Sequence, residues 1–292
     1  MISVAVVIPV GPDPVEEFVR DTVLSVLGWC APDARVVLVD DSAGPVPARV
    51  AAALPRTQVV PVRGAPSGIH GGLYLAVGRG FHLARTLDPR VVLRLDSDAV
   101  VVGPQPEADA ARYFDAHPEV GLLGSYRVTV TGGQRSFAWA AGQLQQETRR
   151  RQRSLHDLRR ARALRRIARQ AARHGYEPGE HALAAASFFS RACLDALCDS
   201  GLLDLEALRS SGLVDDHLTG VVVRSLGFAL GDFAPDPHPV GVAWKGLPLP
   251  PEELLARGKK VVHSVKSYRG SDEAALRAYF AGHRPEALER PE

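Results

Sequence analysis

The chain opens with an alternation of short apolar runs and amphipathic stretches, and this alternation limits the folds available to it. The runs rich in β-branched residues are predicted as strands at 3–10, 34–42, 57–62 and 90–100. Between them, 14–28 and 68–85 have the apolar spacing of helices. Buried strands that alternate with helices are typical of a parallel, doubly wound sheet. We therefore predict an α/β fold whose ligands bind beyond the carboxyl ends of the strands.

Acidic residues follow two of these strands directly. Asp40 and Asp41 end the run "ARVVLVDD", and the triplet Asp96-Ser97-Asp98 follows "VVLRL". Both groups are thus expected at the sheet edge where such folds bind ligands. Two carboxylates spaced D-x-D can hold Mg²⁺ or Mn²⁺, often together with phosphates. The alternative is a pair of solvated loop acids, which the triplet alone does not exclude.

His263 and Lys266 lie in "KKVVHSVKSY", near the C-terminal end of the sequence. His263 is interpreted either as a core histidine with a satisfied hydrogen bond or as a neutral imidazole ligand of the same metal. Lys266 could contact a phosphate as a point charge. Taken singly, each residue is better explained by a structural role.

Asp215 and Asp216 precede a helix predicted within 211–228. Acids at this position cap a helix, and one of them could also be a general base that deprotonates an attacking hydroxyl. Both roles hold if one acid caps the helix and the other faces the cleft. The glycines at 68, 71 and 72 could admit a phosphate-bearing ligand, although the usual dinucleotide and triphosphate loops are absent.

In this order, the motifs resemble those of the GT-A glycosyltransferases, and most of all the inverting family 2 type. The motifs are "VAVVIPV", "VVLVDDS", "LRLDSDAVV", "AAASFFSRACLDAL" and "VDDHLTGVVVRSLGF". The resemblance covers roughly 3–103 and 181–230, and it implies a GT-A fold: a doubly wound mixed sheet with helices on both faces and a helical insertion. We predict a nucleotide-sugar-binding half at 1–103, an insertion at 104–174, and an acceptor-binding and catalytic half of the same domain at 175–292.

The resemblance also implies a reaction, namely inverting transfer from a nucleoside-diphosphate sugar, expected to be a UDP-sugar, with Mn²⁺ or Mg²⁺. Asp216 would be the catalytic base, with Asp215 in the position usually held by Glu. Asp96, Asp98 and His263 would hold the metal. Contacts to the donor are assigned to Pro9, Val10, Gly11, Asp40, Asp41, Gly72, Asp96, Ser97 and Lys266. The acceptor is left open between a lipid-linked saccharide, a natural product and a peptide.

The sequence departs from this family pattern in two places. The Asn of the common A-x-N-x-G motif is missing at 76–80, and the Q-x-x-R-W motif of processive enzymes is absent, with "VAWKG" at 242–246 no substitute for it. No apolar run is long enough to span a bilayer, no signal peptide is recognised, and the three cysteines lack metal-like or paired spacing. We expect a cytoplasmic enzyme with reduced thiols that adds one sugar or a few.

The sequence disfavours two other functions. A sugar-1-phosphate nucleotidyltransferase should carry a glycine-rich basic loop after the first strand, but "IPVGPDPVEEF" contains no basic residue and the next one is Arg20. A binding module without turnover would need neither the D-x-D triplet nor the Asp215-Asp216 pair, so the presence of both disfavours it.

Positive charge is concentrated in one segment. The net charge is +2, yet 143–174 carry eleven Arg against two acids. We predict one long helix there and, because the rest of the chain is not basic, no nucleic-acid binding. One predicted face carries Arg159, Arg162, Arg166, Arg169 and Arg173, and the other Ala161, Leu164, Ile167, Ala168 and Ala171. This is either an ordinary surface helix or a face that attracts an anionic partner. The partner could be a membrane surface contacted through 159–173, a lipid diphosphate acceptor or an acidic protein.

Overall fold

The computed structural model describes residues 1–42, 44–62, 70–149 and 154–285. The strands in these ranges are β1 (Ile2–Val10), β2 (Arg35–Asp40), β3 (Thr57–Pro61), β4 (Pro89–Leu95), β5 (Val100–Val101), β6 (Val120–Gly124), β7 (Ala186–Ser190), β8 (Ala229–Asp232), β9 (Val240–Val242), β10 (Val261–His263), β11 (Ser267–Tyr268) and β12 (Ser271–Asp272). The helices are α1 (Glu16–Trp29), α2 (Val46–Ala53), α3 (Gly71–Thr86), α4 (Pro106–Ala116), α5 (Ala138–Glu147), α6 (Leu155–Arg173), α7 (Arg191–Asp199), α8 (Asp215–Ser225), α9 (Pro251–Ala256) and α10 (Glu273–Ala281), with a 3₁₀ turn at Glu206–Leu208.

A seven-stranded mixed sheet in the order β3-β2-β1-β4-β7-β6-β8 forms the centre of the described structure. Strands β3, β2, β1 and β4 are parallel, whereas β7 runs antiparallel to both of its neighbours, β4 and β6. Of these, β1, β2 and β4 are Val-rich and largely buried on both faces, as parallel sheets require. The carboxyl ends of β1, β2 and β4 therefore meet at one edge.

Helices cover both faces of the main sheet and enclose two apolar cores. Val4, Val6 and Ile8 of β1 belong to the core beneath α1, α2 and α4, while Val7 belongs to the core beneath α3, α6, α7 and α8. Gly80 of α3 permits close approach on that second face, because a Cβ there would lie 2.6 Å from methyl carbons of Val7 and Val39. The predicted α/β fold with helices on both faces is confirmed.

A small second sheet, β5-β10-β9, joins the C-terminal part of the chain to the acidic triplet. Strand β10 pairs antiparallel with β5, with Val262 opposite Val100. Since Asp98 lies just before β5 and His263 ends β10, this pairing brings the two side chains together. Residues 165 positions apart in the sequence thus become neighbours.

The continuous helix predicted over 143–174 is wrong in its extent. Helix α5 already ends at Glu147, and α6 begins afresh behind Ser154, whose Oγ accepts a hydrogen bond of 3.0 Å from Asp157 N. Ser154 is a common kind of N-cap residue. The arginine-rich sequence around it nevertheless suggested one continuous helix. Residues 150–153, with three of the eleven arginines, lie outside the described residues.

Two further boundaries concern the middle of the chain. The extended segment predicted at 120–130 ends at Gly124, and its strand β6 lies inside the main sheet between β7 and β8. The division of the chain at 103 and 174 stays a prediction, although part of the predicted insertion contributes to the central sheet.

Within the described ranges, none of the helices has both the length and the apolar character needed to cross a membrane.

Candidate active site

The first group of predicted site residues lies where β1 and β2 end side by side. Val10 is paired with Asp40 in the parallel register, and Asp41 N donates to Val10 O at 3.0 Å. The Asp41 side chain is buried, while Asp40 Oδ1 accepts hydrogen bonds from Ser42 N and Ser42 Oγ, at 3.0 and 2.7 Å. The fold thus brings together the residues predicted to line the base pocket, which are Pro9, Val10, Gly11, Asp40 and Asp41.

The glycines predicted to approach a phosphate begin α3. A Cβ at Gly71 would lie 1.8 Å from Leu208 O, so this glycine is required by the close packing of α3 against the 3₁₀ turn. Gly72 is buried in the first turn of the same helix, and its donor contact stays a prediction. Gly68 lies outside the described residues.

The turn that carries the D-x-D triplet is held by its backbone. Ser97 O accepts from Thr22 Oγ1 at 2.8 Å and from Arg277 Nη2 at 2.7 Å. Asp98 O accepts from Val265 N at 3.0 Å. Helices α1 and α10 and the segment after β10 therefore fix the position of the triplet, so its carboxylates are placed by the surrounding fold.

Asp96, Asp98 and His263 form one compact cluster. His263 Nε2 lies 3.2 Å from Asp98 Oδ2 and 3.9 Å from Asp96 Oδ2. His263 Nδ1 lies 2.8 Å from Ala243 O and donates its proton to that carbonyl, so Nε2 is the nitrogen directed at the carboxylates. Ser264 Oγ donates to Asp98 Oδ2 at 2.8 Å. The structure places His263 beside the triplet, and its role as a metal ligand stays a prediction.

This cluster has the donor set of a divalent-cation site. Two carboxylates and one imidazole nitrogen lie within 4.8 Å of one another, and Mn²⁺ accepts such mixed oxygen and nitrogen ligands. Burial would raise the pKa of Asp98, but hydrogen bonds from His263 and Ser264 and the charges of His263 and Lys266 hold it well below its usual range. Lys266 Nζ lies 3.3 Å from Asp98 Oδ2. These neighbours favour an ionised carboxylate, which is the form that binds metal.

Arg94 connects this cluster to the acidic pair on α8. It is buried within β4, and its Nη2 lies 3.0 Å from Asp96 Oδ1 and 2.9 Å from Asp215 Oδ2. A buried guanidinium needs ionised partners, because an unpaired charge in the interior is very costly. One side chain therefore fixes the triplet and the start of α8 relative to each other.

The two acids of α8 have different surroundings. Asp215 is buried against Arg94, whereas Asp216 lines a cavity of about 480 Å³. Burial raises the pKa of Asp215, although the Arg94 charge opposes the rise. Burial also raises the pKa of Asp216, against the charges of His217, Arg94 and Arg135. The carboxylate that faces open space is thus Asp216.

Two histidines lie next to Asp216. Its Oδ2 is 3.8 Å from His181 Nε2, and its Oδ1 is 3.6 Å from His217 Nε2. Burial lowers the pKa of each imidazole to about 4, so both are neutral at physiological pH. Arg135 Nη2 lies 2.7 Å from His181 Nε2 and engages its lone pair. His181, Asp216 and His217 lie close enough together to hold a cation, but the positive guanidinium of Arg135 beside them argues against it. The two histidines instead form the wall around Asp216.

Sequence reasoning missed Arg94, His181 and His217. A signal for Arg94 was available: a charged residue between Leu93 and Leu95 in a buried strand must find a partner. His217 directly follows Asp216 on α8, so its position was visible in the sequence. His181 lacks such a signal, since its approach to Asp216 depends on how the 175–185 segment folds back across α8.

No protein-family model matches the sequence, and no curated protein matches it either. Among solved structures, the galactosyltransferase LgtC in complex with donor and acceptor sugar analogs matches with a TM-score of 0.51 at 13% identity, over 99% of this chain and 97% of that one. The bifunctional glycosyltransferase WbbM gives a TM-score of 0.48 at 12% identity, over 96% of this chain and 49% of its own. TarS of S. aureus gives 0.44 at 16%, over 81% and 36%.

The chain thus spans about half the length of WbbM and about a third of TarS. The likeness to LgtC shows the fold, and the two lower scores add nothing to it. The GT-A fold predicted from the motif order is therefore confirmed, while activity has to be argued from the site itself.

Proposed function

We propose that this protein is a metal-dependent, inverting glycosyltransferase that moves a sugar from a nucleoside-diphosphate sugar to an acceptor hydroxyl. One observation carries the proposal: Arg94 joins a cation-binding cluster to an acidic pair, one member of which opens into a cavity. A leaving diphosphate needs a bound cation, and an attacking hydroxyl needs a base. Transfer between them requires the two groups to be held at a fixed separation.

On the donor side, Asp98, Asp96 and His263 would hold Mn²⁺ or Mg²⁺. The cation supplies charge neutralisation for the diphosphate as it departs. Lys266 is mostly exposed and lies beside Asp98, so its ammonium can reach a phosphate oxygen. The β1 and β2 ends would take the nucleotide, which we expect to be UDP, between Gly11 and Asp41.

On the acceptor side, Asp216 would accept the proton of the attacking hydroxyl. As that oxygen forms its bond to the anomeric carbon, the bond to the diphosphate breaks on the opposite side, so the configuration inverts. Asp215 serves a different purpose, because its carboxylate is engaged by Arg94. The neutral imidazoles of His181 and His217 leave the negative charge on Asp216 available for this proton.

Donor turnover tests the proposed function. With Mn²⁺ present, the protein is expected to release nucleoside diphosphate from at least one member of a panel of UDP-, GDP- and dTDP-sugars, with water as the slow acceptor. Formation of sugar 1-phosphate and nucleoside triphosphate on addition of pyrophosphate would indicate a nucleotidyltransferase instead. Binding of a nucleotide sugar without any turnover would indicate a binding module.

We also propose that α6 contacts an anionic membrane. The arginines predicted to share a face are exposed, and Leu164 and Ile167 on the opposite side are buried against the body of the protein. Arg159, Arg162 and Arg166 border a cavity of about 600 Å³ whose apolar lining includes Leu202. Basic residues near an anionic leaflet contribute about 1 kcal/mol each, so this face could bring the enzyme to a membrane-borne acceptor.

Co-sedimentation with liposomes containing anionic lipid tests the membrane contact. Binding is expected at low salt and should weaken as salt rises, since added ions screen the arginines. It should disappear when Arg159, Arg162, Arg166, Arg169 and Arg173 are changed to Gln. The matched control changes five exposed arginines elsewhere, namely Arg49, Arg90, Arg112, Arg257 and Arg269. Absence of binding at low salt, or equal loss in both variants, would contradict this role for α6.

A further inference from the structure

The cavity that Asp216 lines has two exposed tryptophans at its rim. Trp139 is 62% exposed and Trp244 is 78% exposed, and both line the cavity together with Asp216. The remaining tryptophan, Trp29, packs instead against the core beneath α1. Leaving an indole in water forgoes the free energy of burying a large apolar surface. Two such rings around one carboxylate therefore point to a ligand that covers them.

Each tryptophan is attached to one half of the candidate site. Trp139, in the first turn of α5, packs edge to face against His217, with the ring centroids 5.3 Å apart. Trp244 follows Ala243, whose carbonyl oxygen engages Nδ1 of His263. The rim of the cavity is thus tied to the wall of Asp216 on one side and to the cation cluster on the other.

The remaining lining of the cavity combines apolar side chains with hydroxyl groups and carries little charge. Thr129, Thr131 and Ser136 contribute hydroxyls, and the Oγ1 atoms of the two threonines lie 3.0 Å apart. Among the charged lining residues, Arg135 opposes Asp216 in sign. A volume of about 480 Å³ is within the range of small-molecule sites, roughly 300–1,000 Å³. Aromatic faces with hydroxyl groups beside them suit a neutral, polyhydroxylated ring.

We infer that the acceptor presents a pyranose ring, which stacks on Trp139 and Trp244 and directs one hydroxyl at Asp216. A pyranose has a face of C–H groups that can lie on an indole and a rim of hydroxyls that can bond to Thr129, Thr131 and Ser136. This inference rests on the proposed function for the role of the bound sugar as acceptor. We therefore favour a saccharide acceptor over a peptide or a purely apolar acceptor.

Direct binding of simple sugars tests the inference without donor or metal. The probes are methyl glycosides of glucose, galactose, mannose and N-acetylglucosamine, together with cellobiose and lactose, and the readouts are tryptophan fluorescence and saturation-transfer NMR. At least one of these sugars is expected to bind the wild-type protein. Trp139→Ala and Trp244→Ala should each weaken that binding about tenfold, the scale of a lost aromatic contact, whereas the Phe variants should retain part of it.

Trp29→Phe is the matched control, since Trp29 packs against the apolar core and does not line the cavity. Affinity equal to that of the wild type is expected for this variant. Stabilisation of the fold by UDP with Mn²⁺, measured in the same preparations, reports on the donor half alone.

The two readouts separate the two possible failures. If UDP stabilises the wild-type protein but no sugar of the panel binds, or if sugar binding is unchanged in both Trp→Ala variants, the saccharide inference is overturned and a peptide or apolar acceptor is indicated. If sugars bind but no nucleotide sugar is bound or turned over, the proposed transferase function fails, while the cavity remains a saccharide site.

Discussion

Replacing Asp216 with Asn is expected to lower turnover by roughly 10²–10⁴-fold, the usual size of a general-base contribution. The amide keeps the shape of the side chain but cannot take the proton of the attacking hydroxyl. Because Asp216 belongs to the cavity side of the site, away from Asp98 and His263, the affinity for the donor should change little. The measurements are kcat for donor turnover and the binding of UDP in the presence of Mn²⁺.

Asp215→Asn is the matched control for this prediction. Asp215 lies against Arg94 at 2.9 Å, so the change leaves a buried guanidinium without one of its two ionised partners. A lower free energy of unfolding is therefore expected, rather than a specific loss of turnover in the folded protein. If Asp215→Asn folds normally and is inactive while Asp216→Asn is active, the roles of the two acids are reversed.

The pH dependence of wild-type turnover provides a second check on Asp216. Only the ionised carboxylate can accept a proton, and burial raises its pKa in the folded protein. Turnover should therefore fall with decreasing pH at a point clearly above about 3.9, the ordinary value for an aspartate. The falling limb should be absent from the residual activity of Asp216→Asn, since that variant has no carboxyl group at this position.

Removal of the divalent cation is expected to abolish turnover, and Mn²⁺ or Mg²⁺ should restore it. Asp98→Asn should weaken donor binding in the presence of metal by about 100-fold or more, because loss of even an outer partner of a metal site typically costs about 10–100-fold in affinity. Titration of UDP with and without Mn²⁺ measures the effect. His263→Ala should act in the same direction.

Asp115→Asn serves as the control for Asp98, since Asp115 is an exposed carboxylate paired with Arg90 at the surface. Donor affinity should be the same in this variant as in the wild type. Equal donor affinity in Asp98→Asn and wild type, or full turnover in EDTA, would contradict a role for a divalent cation in donor binding and turnover.

The sequence was sufficient for the parallel half of the sheet and for the position of the triplet. Val-rich strands and the acids that follow them are local features, and a parallel sheet brings strand ends to one edge whatever the lengths of the connecting loops. His263 could be proposed because it was the one C-terminal histidine in a suitable context. Its contact with Asp98 nevertheless depends on the pairing of β10 with β5, which no local pattern specifies.

The acceptor side was less accessible to prediction. His181, Arg135 and Trp139 come from separate loops and helices, and they meet around Asp216 only after β7 inserts antiparallel between β4 and β6. The break between α5 and α6 shows the same limit: α5 ends at Glu147, and the N-cap at Ser154 begins a new helix where composition alone predicted a continuous one. Trp244 was recognised only as a failed match to another motif, because its place at the cavity rim is a tertiary feature.

The anomeric configuration of the sugar first released from an α-linked nucleotide sugar shows whether the reaction inverts, as the proposed role of Asp216 requires. Proton NMR of the wild-type protein with Mn²⁺ and the donor that it turns over can record this product before mutarotation mixes the anomers, and water as acceptor makes the result independent of the natural acceptor. The β-anomer is expected as the initial product, since the nucleophile that Asp216 deprotonates attacks opposite the diphosphate. Initial release of the α-anomer would contradict the inverting mechanism and the role of Asp216 in it.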